Sequence, residues 1–185
     1  MSVPLPRPAT YEDLIALPPN QVGELIAGVL YSHPRPAAKH ARVSSVLGSD
    51  LGTPFDRGRG GPGGWWILDE PELHFGRDVL VPDLAGWRRE RMPSIPDVPW
   101  FELAPDWVCE VLSPSTGRLD RVRKMPIYAD AGVAHLWLID PDLRTLEIYE
   151  REGPHWLLLA SHADQDIVRA RPFDVIELEL AALWV

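Results

Sequence analysis

The chain has 185 residues, 45% hydrophobic and 24% charged, ordinary globular usage that excludes disorder and fits one domain with a sizeable core. Its 27 acidic and 18 basic residues give a formal net charge of −9, which excludes a surface coated in positive charge for passive nucleic-acid binding, though not a local basic cleft. No apolar run reaches bilayer-crossing length, the proline-rich start lacks a signal-peptide core, and the lone cysteine, Cys109, forms neither an internal disulfide nor a zinc cluster; the expected compartment is cytoplasmic.

Thr10-Tyr-Glu-Asp13 has the pattern of a capping box before a short helix that Pro18-Pro19 stops. Glu24 to Tyr31 reads as two short strands around an Ala27-Gly28 turn. From Ala37 to about Leu51, Val43, Val46, Leu47 and Leu51 carry helical spacing, with Gly52 as the expected stop. Asp56 to Gly64 is a glycine-rich loop that lacks the G-K-[ST] ending of a phosphate-binding P-loop. Trp65–Leu68, Glu72–Phe75 and Val79–Trp87 are strand-like runs, followed by a long proline-broken connection from Arg88 to Pro105. Trp107–Leu112 predicts a buried strand, and Ser113-Pro-Ser-Thr-Gly117 predicts a turn that caps a helix from about Arg118 to Ala131. That helix is expected to kink at Pro126 and end at Gly132. Three strands follow, His135–Asp140, Thr145–Glu150 and Trp156–Ala160; Val175 to about Leu183 reads as a strand and then a short helix. The pattern predicts a single α/β domain bordering on α+β, a mixed sheet with one central helix.

Three polar residues interrupt this pattern. Asp83 follows the apolar Val79, Leu80 and Val81, Glu110 lies inside Trp107–Leu112, and Lys124, one of only two lysines, falls on the helix that follows. A carboxylate in an apolar strand is costly to bury unless it is paired, hydrogen-bonded or metal-bound. Hard cations such as Mg²⁺ take oxygen ligands and retain waters, so Asp83, Glu110 and the backbone carbonyl of Val111 at neighbouring strand ends would suffice. Lys124 would orient the attacking water or stabilise developing charge, and Arg118, Arg121 and Arg123 would offer positive charge to a phosphate backbone.

The segments V-P-D-L, P-D-W-V-C-E-V-L-S-P-S-T, D-R-V-R-K, Y-A-D-A-G-V and L-W-L-I-D-P closely resemble the Uma-two family of restriction-endonuclease-like proteins, within the PD-(D/E)XK nuclease superfamily. The likeness extends from G-E-L-I-A-G to the C-terminal L-A-A-L-W, over most of residues 1–185. It implies a restriction-endonuclease-like core, a mixed β-sheet flanked by helices, and Mg²⁺- or Mn²⁺-dependent hydrolysis of phosphodiester bonds, in DNA above all. Asp83 and Glu110 take the positions of the two motif acids, and Glu24 matches a further acid of such sites. One departure stands out: the superfamily's lysine belongs two residues after the second acid, where this chain has Leu112, and the resemblance implies that Lys124 replaces it from the helix.

Each residue also has a plainer reading. Asp83 would serve as a turn former after proline, Lys124 as a solvated helix residue paired with Asp120 at i,i+4, and Glu24 as an exposed strand residue. His40 is read as a surface histidine, and Cys109 as an inert core residue. The leading reading is a metal-dependent endonuclease acting on DNA, expected as a homodimer because two sites related by a two-fold axis suit the two strands. Its rivals are a non-catalytic nucleic-acid-binding or assembly protein that retains the fold, and a hydrolase of RNA or a smaller phosphodiester.

Overall fold

A computed structural model describes residues 7–34 and 36–185. The first helix, α1 (Tyr11–Ile15), begins at the capping box, with the Thr10 N–H donating to the Asp13 carboxylate at 2.8 Å. Next come β1 (Gln21–Ile26) and β2 (Val29–Pro34), an antiparallel hairpin whose Ala27-Gly28 turn takes positive φ at both residues. The helix α2 (Ala38–Leu51) does not stop at Gly52. It widens into one π turn over Gly52–Asp56, because Phe55 is drawn into the core against Phe173.

The run from Val79 to Trp87 is not one strand. After β3 (Trp65–Asp69) and β4 (Leu73–Phe75), it divides into β5 (Asp78–Leu80) and β6 (Leu84–Arg88), with the break at Val81-Pro82-Asp83. Proline cannot donate to a ladder, so the chain uses this point to leave one sheet and enter another. The smaller sheet has the order β2-β1-β5-β4. The larger, β10-β9-β8-β7-β6-β3, is completed by β7 (Trp107–Val111), β8 (His135–Asp140), β9 (Thr145–Glu152) and β10 (His155–Ala163). Only β7 and β8 in it run parallel, and the crossover between them is the helical segment 117–131.

That segment is composite. A single turn, α3 (Gly117–Leu119), opens into a π turn at Asp120–Lys124, and α4 (Met125–Ala131) follows. Pro126 therefore stands in the first turn of α4, where its missing N–H is not needed, and not in mid-helix. Gly132 ends the segment in the left-handed conformation at φ 92°. The C-terminal region holds only the two-residue strands β11 (Ile167–Val168) and β12 (Leu178–Glu179) and one 3₁₀ turn, Leu180–Ala182.

The alternation of β7 sorts the core. Trp107, Cys109 and Val111 face α2 through Val43, Leu47 and Leu51, together with Trp137, Ile139 and Phe173. Val108 and Leu112 face the other way, toward Tyr128, Leu136 and Leu138. Glu110 shares the second side, which is how a carboxylate comes to lie beneath the crossover helix.

Candidate functional site

Four elements from both sheets converge on one cleft of about 360 Å³, lined by Glu24, His40, Asp83, Glu110, Asp120 and Lys124 among others. Glu24 comes from β1 in the smaller sheet, Glu110 from β7 in the larger one, and Asp83 from the break between β5 and β6. Lys124 reaches them from the π turn of the crossover. Glu24, Glu110, Asp120 and Lys124 are all no more than 3% exposed, so neither the lysine nor Glu24 is the solvated residue of the plainer reading.

Lys124 Nζ lies 2.8 Å from Glu24 Oε1 and 2.8 Å from Glu110 Oε1, with Asp120 Oδ1 at 3.6 Å. It also donates to the Val81 carbonyl at 3.4 Å. The Val81 N–H donates to Glu24 Oε1 at 2.8 Å, and the Tyr128 hydroxyl donates to Glu110 Oε1 at 2.6 Å. Asp83 is held separately: its Oδ2 accepts from the Val111 N–H at 2.7 Å, and its Oδ1 lies 3.2 Å from His40 Nε2.

The electrostatics follow from this crowding. Burial pushes the Glu110 carboxyl well above its ordinary range; Lys124 opposes this, while Asp120, Asp83 and Glu24 reinforce it. Burial also raises Asp120, to about 6, against the pull of Lys124. For Lys124, burial favours the neutral amine, but Glu110, Glu24, Tyr128 and Asp120 outweigh it and hold the ammonium well above the usual lysine value. Five carboxylates, Glu24, Glu70, Asp83, Glu110 and Asp120, thus line one cleft with one ammonium and two histidines, His33 and His40. The site is short of positive charge.

His40 is not a surface histidine. It stands in helical phase with Val43, Leu47 and Leu51, the buried side of α2, and that phase was the available signal. Burial lowers its pKa, but the hydrogen bond and charge of Asp83, helped by the Val111 backbone, more than reverse this. Among the described residues, its buried Nδ1 has no hydrogen-bond partner. Tyr128 also escaped the sequence reading, although it follows Lys124 by four residues on one helical face. Asp120, read as an i,i+4 surface partner of Lys124, is buried beside the lysine.

The arginines fare differently. Arg121 is committed to Glu147 by two contacts, at 2.7 and 3.2 Å, and so is not free for a phosphate backbone. Arg118 and Arg123 are exposed on the same segment, outside the cleft lining.

Among the described residues, no three His, Cys, Asp or Glu side chains form a ready-made ligand cluster. The donor set still suits a hard cation, which needs only one or two carboxylates and keeps its waters. Asp83 and Glu110 line the same cleft and interact electrostatically, and both contacts of Glu110 run through Oε1.

A family model described as "Putative restriction endonuclease", Uma2, matches residues 8–182. The chain belongs to the Uma2 family. Its structure is similar to the crystal structure of a "putative nuclease belonging to DUF820" from Anabaena variabilis ATCC 29413, with a TM-score of 0.77 and 25% identity over 95% of this chain and 97% of that one. The fold is accordingly that of a restriction-endonuclease-like nuclease, a large mixed sheet flanked by few helices. No curated protein matches the chain. Within this Uma2 protein the departure at Leu112 has a structural counterpart: Leu112 packs in the core, and the site's lysine comes from the crossover helix.

Proposed function

We propose that the protein is a metal-dependent endonuclease that hydrolyses phosphodiester bonds in DNA, with a cytoplasmic location to match that substrate. The observation that carries this reading is the excess of carboxylates, the buried Glu24, Glu110 and Asp120 and the partly exposed Asp83, over the positive charge of Lys124 and His40 in one cleft. Asp83, Glu110 and the Val111 carbonyl would hold Mg²⁺ or Mn²⁺. Such an ion, when bound, would supply charge neutralisation at the phosphate and a more acidic water.

The protein's own groups set the stage for that hydrolysis. The Val111 N–H fixes one oxygen of Asp83, and Tyr128 and Lys124 fix one oxygen of Glu110. Glu24 anchors the lysine from the opposite sheet. With its short contacts on two carboxylates, Lys124 acts first by orienting acids, and approaches the attacking water only if substrate or cation draws one of them away.

The test is cleavage of supercoiled plasmid and single-stranded DNA in EDTA, Mg²⁺ or Mn²⁺ by the native chain and Asp83→Ala. Metal-dependent nicking that is lost in the folded variant is expected; an unchanged rate in that variant overturns the assignment. One observation favours the rival reading of a non-catalytic binding protein, namely the saturation of Lys124 by internal partners. Absence of Mg²⁺ and Mn²⁺ affinity by calorimetry, with DNA present, would decide for it. Adding RNA and a small phosphodiester as substrates to that assay distinguishes the remaining rival.

A further inference from the structure

The two sheets have four edge strands, and the protein treats them unequally. On β3, Arg89 Nε donates to the Trp65 carbonyl at 3.0 Å and Asp56 Oδ2 accepts from the Ile67 N–H at 3.3 Å, while Arg89 and Asp56 pair with each other at 2.8 Å. Those side chains take up the edge's hydrogen-bonding groups. On β4, Phe101 forms a bridge, accepting from the His74 N–H at 2.9 Å and donating to the Glu72 carbonyl at 2.8 Å. The β2 edge ends in Pro34 and borders the cleft.

The fourth edge, β10, lacks a covering segment or side-chain caps over His155–His162 among the described residues, and its one irregularity is a β-bulge between Leu158 and Ala160. Among the described residues, no segment other than β9 hydrogen-bonds to the backbone of His155–His162. Open edges are normally blunted by lysine, other charges or proline. Yet His155-Trp-Leu-Leu-Leu-Ala-Ser-His-Ala163 contains no Lys, Arg, Asp, Glu or Pro. Three consecutive leucines are exposed instead, Leu157 at 50%, Leu158 at 48% and Leu159 at 39%.

We propose that β10 is the site of self-association, pairing antiparallel with β10 of a second copy about a two-fold axis to join the two large sheets. The occupant follows from charge and symmetry. An antiparallel strand pair of identical sequence places each residue against a residue of the same uncharged segment, so no like charges oppose each other. On either side of the bulge between Leu158 and Ala160, alternate residues direct N–H and C=O groups outward, and nine residues extend over about 30 Å, enough for two short runs of main-chain hydrogen bonds.

Sedimentation velocity of the full chain at micromolar concentration tests this directly. The expected mass is twice 20.8 kDa for the native chain and once that value for Leu158→Lys, with an unchanged circular dichroism spectrum. Leu143→Lys, at an exposed leucine (71%) in the β8–β9 turn, is the control and should remain dimeric. Cysteines placed singly at 157, 158 and 159 give a second readout, since Cys109 is fully buried: at least one should yield a disulfide-linked dimer under oxidation. A monomeric native chain overturns the proposal. So does a dimer that survives Leu158→Lys and Leu157→Lys and yields no cross-link, which would put the contact elsewhere.

Discussion

Lys124 holds its position at the centre of the site because removing it would strand three buried carboxylates, Glu24, Glu110 and Asp120. Taking one partner from a buried ion pair costs about 3–5 kcal/mol. Lys124→Met should therefore lower stability by about that amount in urea unfolding at neutral pH, and its cleavage rate has meaning only beside that measurement. Tyr128→Phe, which leaves the ring and removes one hydrogen bond to Glu110, should cost about 1.5–3 kcal/mol and slow cleavage without unfolding the protein. The pH dependence has the same sign at two neighbours but falls in different windows. Asp120 rises from 3.8 to about 6 on folding, so its contribution to stability is present below about pH 4 and lost as pH climbs toward 6, an effect of roughly 3 kcal/mol. Lys124 is raised too, but as a base its contribution is complete below its ordinary value of 10.5 and is lost only when pH passes the still higher folded value. Urea midpoints of the native chain and Asp120→Asn across pH 4 to about 7 should show the native chain losing more stability over that range.

At the level of elements, the helices and strands that depend on local period or turn chemistry were readable from residues alone. The Ala27-Gly28 hairpin, the capping box at Thr10, the β7 strand and the Gly132 stop are examples. Gly132→Ala should cost about 1 kcal/mol by placing a Cβ at φ 92°, read as a fall in midpoint temperature with activity retained. What escaped was set by tertiary packing. Nothing local marks Gly52–Asp56 or Asp120–Lys124 as π turns; each arises where a side chain is drawn inward, Phe55 to the aromatic core and Lys124 to the acids. The division at Pro82 was visible as a proline, but the apolar run on either side hid the change of sheet. The candidate acids and lysine were legible because each interrupts an apolar or low-lysine context. His40 and Tyr128 were not, since both look like ordinary helix residues until their faces are known.

For the molecule as a whole, a net charge of −9 and an acid-rich cleft set a condition on substrate binding. With Arg121 occupied by Glu147, a phosphodiester gains little from side chains alone. Mobility-shift assays should show no DNA retention in EDTA and clear retention in Ca²⁺; equal binding in both would refute this electrostatic account. The joining of the sheets carries a different consequence. Glu24 belongs to one sheet and Glu110 to the other, with the Lys124 ammonium between them, so the three side chains at the heart of the proposed site also fasten the β1–β2 hairpin to the larger sheet. Substitutions at this centre should therefore release hairpin amides to solvent exchange before those of β7 and β8, so that a change among three buried charges is recorded in the strands they tie together.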